Sequence, residues 1–179
     1  MAKHLVDKIG ILGGSFDPAH KGHLTISKIA IRKAKLKKLY WILTKQNPFK
    51  KKPFFSLKKR LLIARKIAKN TKKIEVSYLD NIIGSSRSID TIKYILKIKK
   101  PKNLYLIIGS DILLEFHKWK NWKKIVKLTK LIVFSRSGYG KKEREYTVGK
   151  YFKKNKITFI KNKPIKISSS ILRKKQKTK

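Results

Sequence analysis

The alternation of short apolar runs with segments of helical period constrains this chain more than any other feature. "KIGILGG" (8–14), "KLYWILT" (38–44), "KIEVSYL" (73–79), "NLYLIIG" (103–109), "KLIVFSR" (130–136) and "KITFIK" (156–161) are short and rich in branched apolar residues. Most are too continuously apolar for one exposed face, as in strands covered on both sides. Between them, apolar residues fall on one helical face. Leu24, Ile26, Ile29, Ala30 and Ile31 do so in 21–34, and Leu57, Leu61, Ala64 and Ile67/Ala68 do so behind Ser56 in 56–69. Ile89, Ile92 and Ile95/Leu96 follow Ser88, "LLEFHKWKNWKKIVK" is partly helical, and "ISSSILRKK" (167–175) begins a last helix. Strand–helix units of this kind predict an α/β fold, a doubly wound Rossmann-like domain with a mainly parallel sheet. No internal repeat or linker interrupts the pattern. The chain, 1–179, is therefore expected to form one domain, with a basic tail, 174–179, that frays.

Charge decides which partners to consider. There are 49 Lys+Arg against 9 Asp+Glu, a net +40, a balance that ordinarily points to nucleic acid or an anionic membrane. Here 42 of the basic residues are lysine and 7 arginine, whereas base recognition leans on the bidentate guanidinium. The lysines are also spread along the chain, and 25 isoleucines accompany them, as compositional drift would produce. The reading is a solvated lysine surface with no specific nucleic-acid partner. No apolar run approaches the roughly 20 residues needed to span a bilayer, so no membrane partner is expected. "MAKHLVDKIG" lacks the apolar core of a signal peptide. Without cysteine, disulfides and thiolate metal sites are excluded. A soluble cytoplasmic protein is expected; the sequence leaves a homo-oligomer open.

In a doubly wound sheet, ligands bind beyond the carboxyl ends of the strands. The unusual residues of this chain collect there: "GGSFDP", "QNPFK", "SSRSID", "GSD" and "SRSG" each follow a strand. Neither GxxxxGK[ST] nor GxGxxG is present. After the first strand stands "GGSFDPAHKGH". Gly13 and Gly14 suit a tight turn with close ligand approach. The amides that open the next helix suit an anion. His20 and His23, three apart, point to one side of it, with no side chain on Gly22 to obstruct them. Asp17, His20 and His23 could also be read as metal ligands. The positive helix end opposes a cation, and neither His4 nor His117 has an evident reason to be near. No metal is assigned. Near the carboxyl end, Ser168 in "ISSSILR" is a natural helix cap, and Ser169, Ser170 and the following amides make a second anion cradle. Arg173 stands one turn on with a fork of donors.

"GGSFDPAHKGH" together with "ISSSILR" resembles the HxGH adenylyltransferases of the nucleotidyltransferase superfamily, and within them the bacterial nicotinate-nucleotide adenylyltransferase family. "QNPFKKKP", "SSRSIDTI", "IGSDILLEFHKW" and "FSRSG" each stand where that family has a counterpart, so the resemblance covers residues 8 to 173. The related pantetheine-phosphate adenylyltransferases typically carry threonine at the position of His20 and lysine at that of Arg173; both residues favour the nicotinate family. A second alternative is a basic nucleic-acid-binding protein that has lost catalysis. Two departures stand out. Ser170 replaces the usual threonine and keeps the hydroxyl. The chain ends at Lys179, soon after Arg173, which leaves the final helix short.

The resemblance implies transfer of the adenylyl group of ATP to nicotinate mononucleotide in NAD biosynthesis, with Mg²⁺ carried by ATP. It makes His20, His23 and Arg173 catalytic. It assigns to ATP Gly13, Gly14, Ser15 and Phe16, Gly109 after the fourth strand, Ser168, Ser170 and the amide of Ile171, and Arg136 in "SRSG". To the acceptor it assigns Lys50 (with Lys51 or Lys52 as substitutes), Ser88 and its neighbouring amides, Asp111 near the ribose hydroxyls, and Trp119 against the pyridine ring. Trp122 is read as core, and Asp90 as either a helix cap or a substrate contact.

Overall fold

The apolar runs form one six-stranded sheet in the computed structural model, which describes residues 8–47, 52–135, 156–162 and 167–177. The strands are β1 (Lys8–Gly14), β2 (Lys38–Leu43), β3 (Ile74–Tyr78), β4 (Asn103–Gly109), β5 (Lys130–Phe134) and β6 (Ile157–Ile160). They lie in the order β3-β2-β1-β4-β5-β6, and every pair is parallel. The expectation of a mainly parallel sheet is met throughout. Parallel neighbours need crossovers, and from β1 to β5 the helical segments supply them: α1 (Lys21–Ala34), α2 (Leu57–Ala68), α3 (Asp80–Ile83), α4 (Ser88–Lys99), α5 (Ser110–Glu115) and α6 (Trp122–Leu128). A last helix, α7 (Ser169–Lys177), follows β6 and continues into the tract expected to fray. Among the described residues, no helix is long and apolar enough to cross a membrane.

Period-two alternation sorts the buried strand residues onto two faces. Ile9, Ile11, Tyr40, Ile42, Leu104 and Leu106 face one way, against Ile89 and Ile92 of α4 and Ile125 of α6. Leu12, Leu39, Trp41, Leu43 and Ile107 face the other, against Ala30 of α1 and Ala64 of α2. With both faces covered, the four central strands β2, β1, β4 and β5 have no polar face to show, which is why they read as continuous apolar runs; the edge strands β3 and β6 are partly exposed.

Gly10 marks where the second face is tightest. A Cβ there would lie 2.7 Å from Leu36 Cδ1 and 3.3 Å from Ile107 Cδ1, and Leu36 is wholly buried. Gly10→Val should therefore lower unfolding stability by about 2 kcal/mol through overpacking, measurable by urea denaturation; an unchanged midpoint would mean Leu36 has room to yield.

The helix α3 was not expected. A single turn has no period to detect, and its sequence, "DNII", has no cap signature. The turn after β1 also differs from expectation. The left-handed residue is Phe16, with φ 45°, and among the described glycines only Gly84 has positive φ. Gly13 and Gly14 instead stay within β1; a Cβ on Gly13 would meet nothing within 4 Å. They keep the floor of a crevice open rather than making its turn.

Candidate active site

β1 hydrogen-bonds to β2 on one side and to β4 on the other, so the chain order reverses between β1 and β4. Crossovers leave in opposite directions from such a point and open a crevice beyond the strand ends. A cavity of about 1440 Å³ lies there. From β1 and its turn it is lined by Gly13, Gly14, Ser15, Phe16, His20 and His23; from the last segment by Ser168, Ser170 and Arg173; and from the other strand ends by Ser88, Gly109, Asp111 and Trp119. Ile171 does not line it, and its amide donates to Ser168 Oγ at 3.3 Å. That bond caps α7. Lys50 and Arg136 lie outside the described residues. Lys52, Lys118, Lys120 and Lys174 add positive charge to the lining, a field suited to phosphates.

The histidine pair is built by the helix start. His20 is the N-cap of α1, and its Nδ1 accepts from the Gly22 amide at 3.1 Å. His23 is at the third helical position, and its Nδ1 accepts from the His20 amide at 3.2 Å. This is a capping box made with imidazoles in place of the usual hydroxyl and carboxylate. A ring nitrogen that accepts an N–H carries no proton, so each neutral ring has its proton on Nε2. The ring centroids are 3.9 Å apart, and His23 also packs on Phe16 at 4.7 Å. The cap thus fixes two imidazoles as hydrogen-bond donors on one side of the helix start.

Asp17 takes a different part from the metal ligand considered in the sequence. It is buried, and its carboxylate accepts from the amides of Phe54 at 2.7 Å and Phe55 at 2.9 Å. Arg173 Nη1 lies 3.6 Å from the same carboxylate and donates to the Asp17 carbonyl at 2.5 Å. Ser169 Oγ donates to the Pro18 carbonyl at 2.9 Å, and Arg173 Nη2 donates to Ser170 Oγ at 3.0 Å. These bonds dock α7 on the turn after β1 across sequence separations of 151 and 156 residues. The two motifs therefore meet at one cavity. Among the described residues, no group of three or more His, Cys, Asp and Glu could hold a metal ion.

Sequence reasoning missed Arg60. It is almost wholly buried, at 1% exposure. Its guanidinium donates to the carbonyls of Phe55 (3.1 Å), Ser15 (2.7 Å), Thr44 (2.8 Å) and Lys45 (2.9 Å). Burial pushes its pKa down, opposed by Asp17 and Asp80; a guanidinium stays charged regardless. A signal was available in the sequence. At 3.6 residues per turn, Arg60 falls on the apolar face of α2, beside Leu57 and Ala64.

On the opposite side of the cavity, Ser88 opens α4, with Arg87 at the cap position. Ser85 Oγ accepts from the Arg87 amide at 3.2 Å and donates to Asp90 at 2.7 Å. Asp90 thereby braces the loop before α4 and makes no helix cap. Asp111 stands inside the first turn of α5, whose cap is Gly109. Trp119 packs on Phe116 at 5.1 Å, and both Trp119 and Trp122 rest against the core.

The sheet order, the crevice at its switch point and the two anion-suited helix starts define a nucleotide-handling α/β protein. The cytidylyltransferase-like family model matches residues 11–175. A Pelagibacter ubique protein named "Probable nicotinate-nucleotide adenylyltransferase" is 47% identical over 167 residues, covering 93% of this chain and 92% of the relative. One of the same name from Aquifex aeolicus is 35% identical over 165 residues, covering 89% and 98%. The nicotinic acid mononucleotide adenylyltransferase of Plasmodium falciparum, solved in complex with NaAD, shares the fold with a TM-score of 0.75 at 22% identity, over 94% of this chain and 83% of that one. The chain belongs to the cytidylyltransferase-like family and, within it, to the nicotinate-nucleotide adenylyltransferases.

Proposed function

We infer that this chain transfers the adenylyl group of ATP to nicotinate mononucleotide, giving nicotinate adenine dinucleotide and pyrophosphate. The observation that carries this reading is the docking of the Ser168–Arg173 segment beside His20 and His23 on one cavity. An oxygen of the acceptor's 5′-phosphate attacks the α-phosphorus of ATP. The bond from that phosphorus to the bridging oxygen breaks, and pyrophosphate leaves with the electron pair. The nucleophile is already ionised near neutral pH, so alignment and charge neutralisation supply the rate.

The cavity lining and the two motifs support the following residue roles. The Nε2–H groups of His20 and His23 donate to phosphate oxygens, with His23 bracing the α-phosphate as charge builds there. Gly13, Gly14, Ser15 and Phe16 carry the nucleotide over the end of β1, and Gly109 leaves room over the end of β4. Ser168, Ser170 and Arg173 hold the β- and γ-phosphates; Arg136 adds a nucleotide contact. Mg²⁺ enters as part of the ATP substrate, held by phosphate oxygens and water.

On the acceptor side, Lys50 meets the mononucleotide phosphate and Asp111 accepts from the ribose hydroxyls. Trp119 covers the pyridine ring. The first amides of α4, around Ser88, have no acceptor within the helix and offer donors to the ring carboxylate. A carboxamide would turn its NH₂ toward those donors, a mismatch that size alone does not create. Nicotinate mononucleotide should therefore exceed nicotinamide mononucleotide by about tenfold or more in kcat/KM. The preference should persist at high salt, where diffuse attraction to the lysine surface is screened.

Pyrophosphate release is measured with ATP and each acceptor supplied separately: nicotinate mononucleotide, nicotinamide mononucleotide and pantetheine phosphate. Release with the first is expected. Equal efficiency with the two mononucleotides would defeat the donor pocket, and release with pantetheine phosphate alone would defeat the acceptor assignment.

A further inference from the structure

Arg60 is an expensive residue to bury. A charge taken from water is usually replaceable by an apolar side chain without loss of stability, and Arg60 meets four carbonyls. Its partners are the better guide to its use. Ser15 belongs to the turn after β1, Thr44 and Lys45 to the loop after β2, and Phe55 to the approach to α2. One guanidinium therefore ties the nucleotide turn to the acceptor loop.

Peptide planarity gives the tie a direction. In a trans peptide, the C=O and the following N–H point opposite ways. Where the Thr44 carbonyl turns to Arg60, the Lys45 N–H turns away and meets Asp80 Oδ2 at 3.0 Å. By the same geometry, the Ser15 carbonyl on Arg60 turns the Phe16 N–H away from the buried guanidinium, toward the cavity that Ser15 and Phe16 line. Phe16 holds φ 45°, a conformation unfavourable for an aromatic residue unless its surroundings impose it. Its ring packs on His23 at 4.7 Å and on Trp41 at 5.2 Å. A shift at Ser15–Phe16 would therefore move the support of His23 as well.

We propose that Arg60 is a positioning residue for adenylyl transfer: it aims the Phe16 amide into the nucleotide crevice and fixes that turn relative to the Thr44–Lys45 loop. This rests on the function inferred above. Arg60→Lys keeps the charge but cannot span four carbonyls. Its kcat should fall by about 30- to 100-fold, as a misplacement near 1 Å would cause, while the KM for each substrate moves by less than about threefold.

A residue that only stabilises the fold would give a lower melting temperature with kcat unchanged in the folded protein, and that result would overturn the proposal. So would a loss carried entirely by KM. A second measurement needs no variant. In ¹⁵N-labelled wild-type protein, the Phe16 amide resonance should move on saturation with a non-hydrolysable ATP analogue. A Phe16 amide that does not respond would overturn the proposal even if Arg60→Lys fails to fold. Wild-type pyrophosphate release is measured alongside; its absence would count against the inferred function and leave a Phe16 response interpretable.

Discussion

Replacing His23 by alanine should lower kcat by about 10²- to 10³-fold, the usual cost of losing one donor aimed at developing charge, while ATP affinity changes little. The imidazole is held by its Nδ1 bond to the His20 amide and by its contacts with His20 and Phe16. It is placed before substrate arrives, so an Nε2–H aimed at the α-phosphate would pay no reorganisation cost during the reaction. Groups that act mainly in the transition state show in kcat rather than in binding. Alanine also removes half of the capping box, a stability loss of about 1 kcal/mol, so kinetics are compared well below the melting temperature. Steady-state rates and calorimetric ATP binding check the split. An unchanged kcat would remove His23 from the mechanism.

Arg173→Ala should behave differently, weakening ATP binding about 10- to 100-fold, as loss of charge-assisted bonds to phosphate would, and lowering kcat as well. The β- and γ-phosphates are present both before and during transfer, so a clamp on them would act in both states. Lysine should restore only part, because it lacks the planar fork. Removal of the guanidinium also takes from the buried Asp17 carboxylate its ion pair at 3.6 Å, although it keeps the amides of Phe54 and Phe55 and the field of Arg60. A modest drop in melting temperature should accompany the kinetic change. Normal ATP affinity in the alanine variant would return the Ser168–Arg173 segment to an ordinary capped helix.

Much of this arrangement was legible because it is periodic or local. The strands announced themselves as apolar runs, and the helices by one-sided spacing. His20 and His23 sit three apart at a helix start, where spacing alone puts them on one side. The Ser168 cap follows from residue type. Long-range bonds left no such trace. Nothing near Asp17 says that its carboxylate will hold the amides of Phe54 and Phe55, and the one role its neighbourhood raised, metal ligation beside two histidines, was set aside with no other put in its place. The turn after β1 was assigned to its glycines by propensity, whereas tertiary packing imposes the left-handed conformation on Phe16.

The central claim is direct transfer between two aligned phosphates, with no covalent stop on the protein. It is tested by a single turnover of ATP radiolabelled at the α-phosphorus, with nicotinate mononucleotide present and the reaction quenched at intervals. The label should pass from ATP to nicotinate adenine dinucleotide, with none on pyrophosphate and none on the protein at any time. Label that accumulates on the protein before the dinucleotide forms, or that leaves as AMP without forming it, would contradict the account.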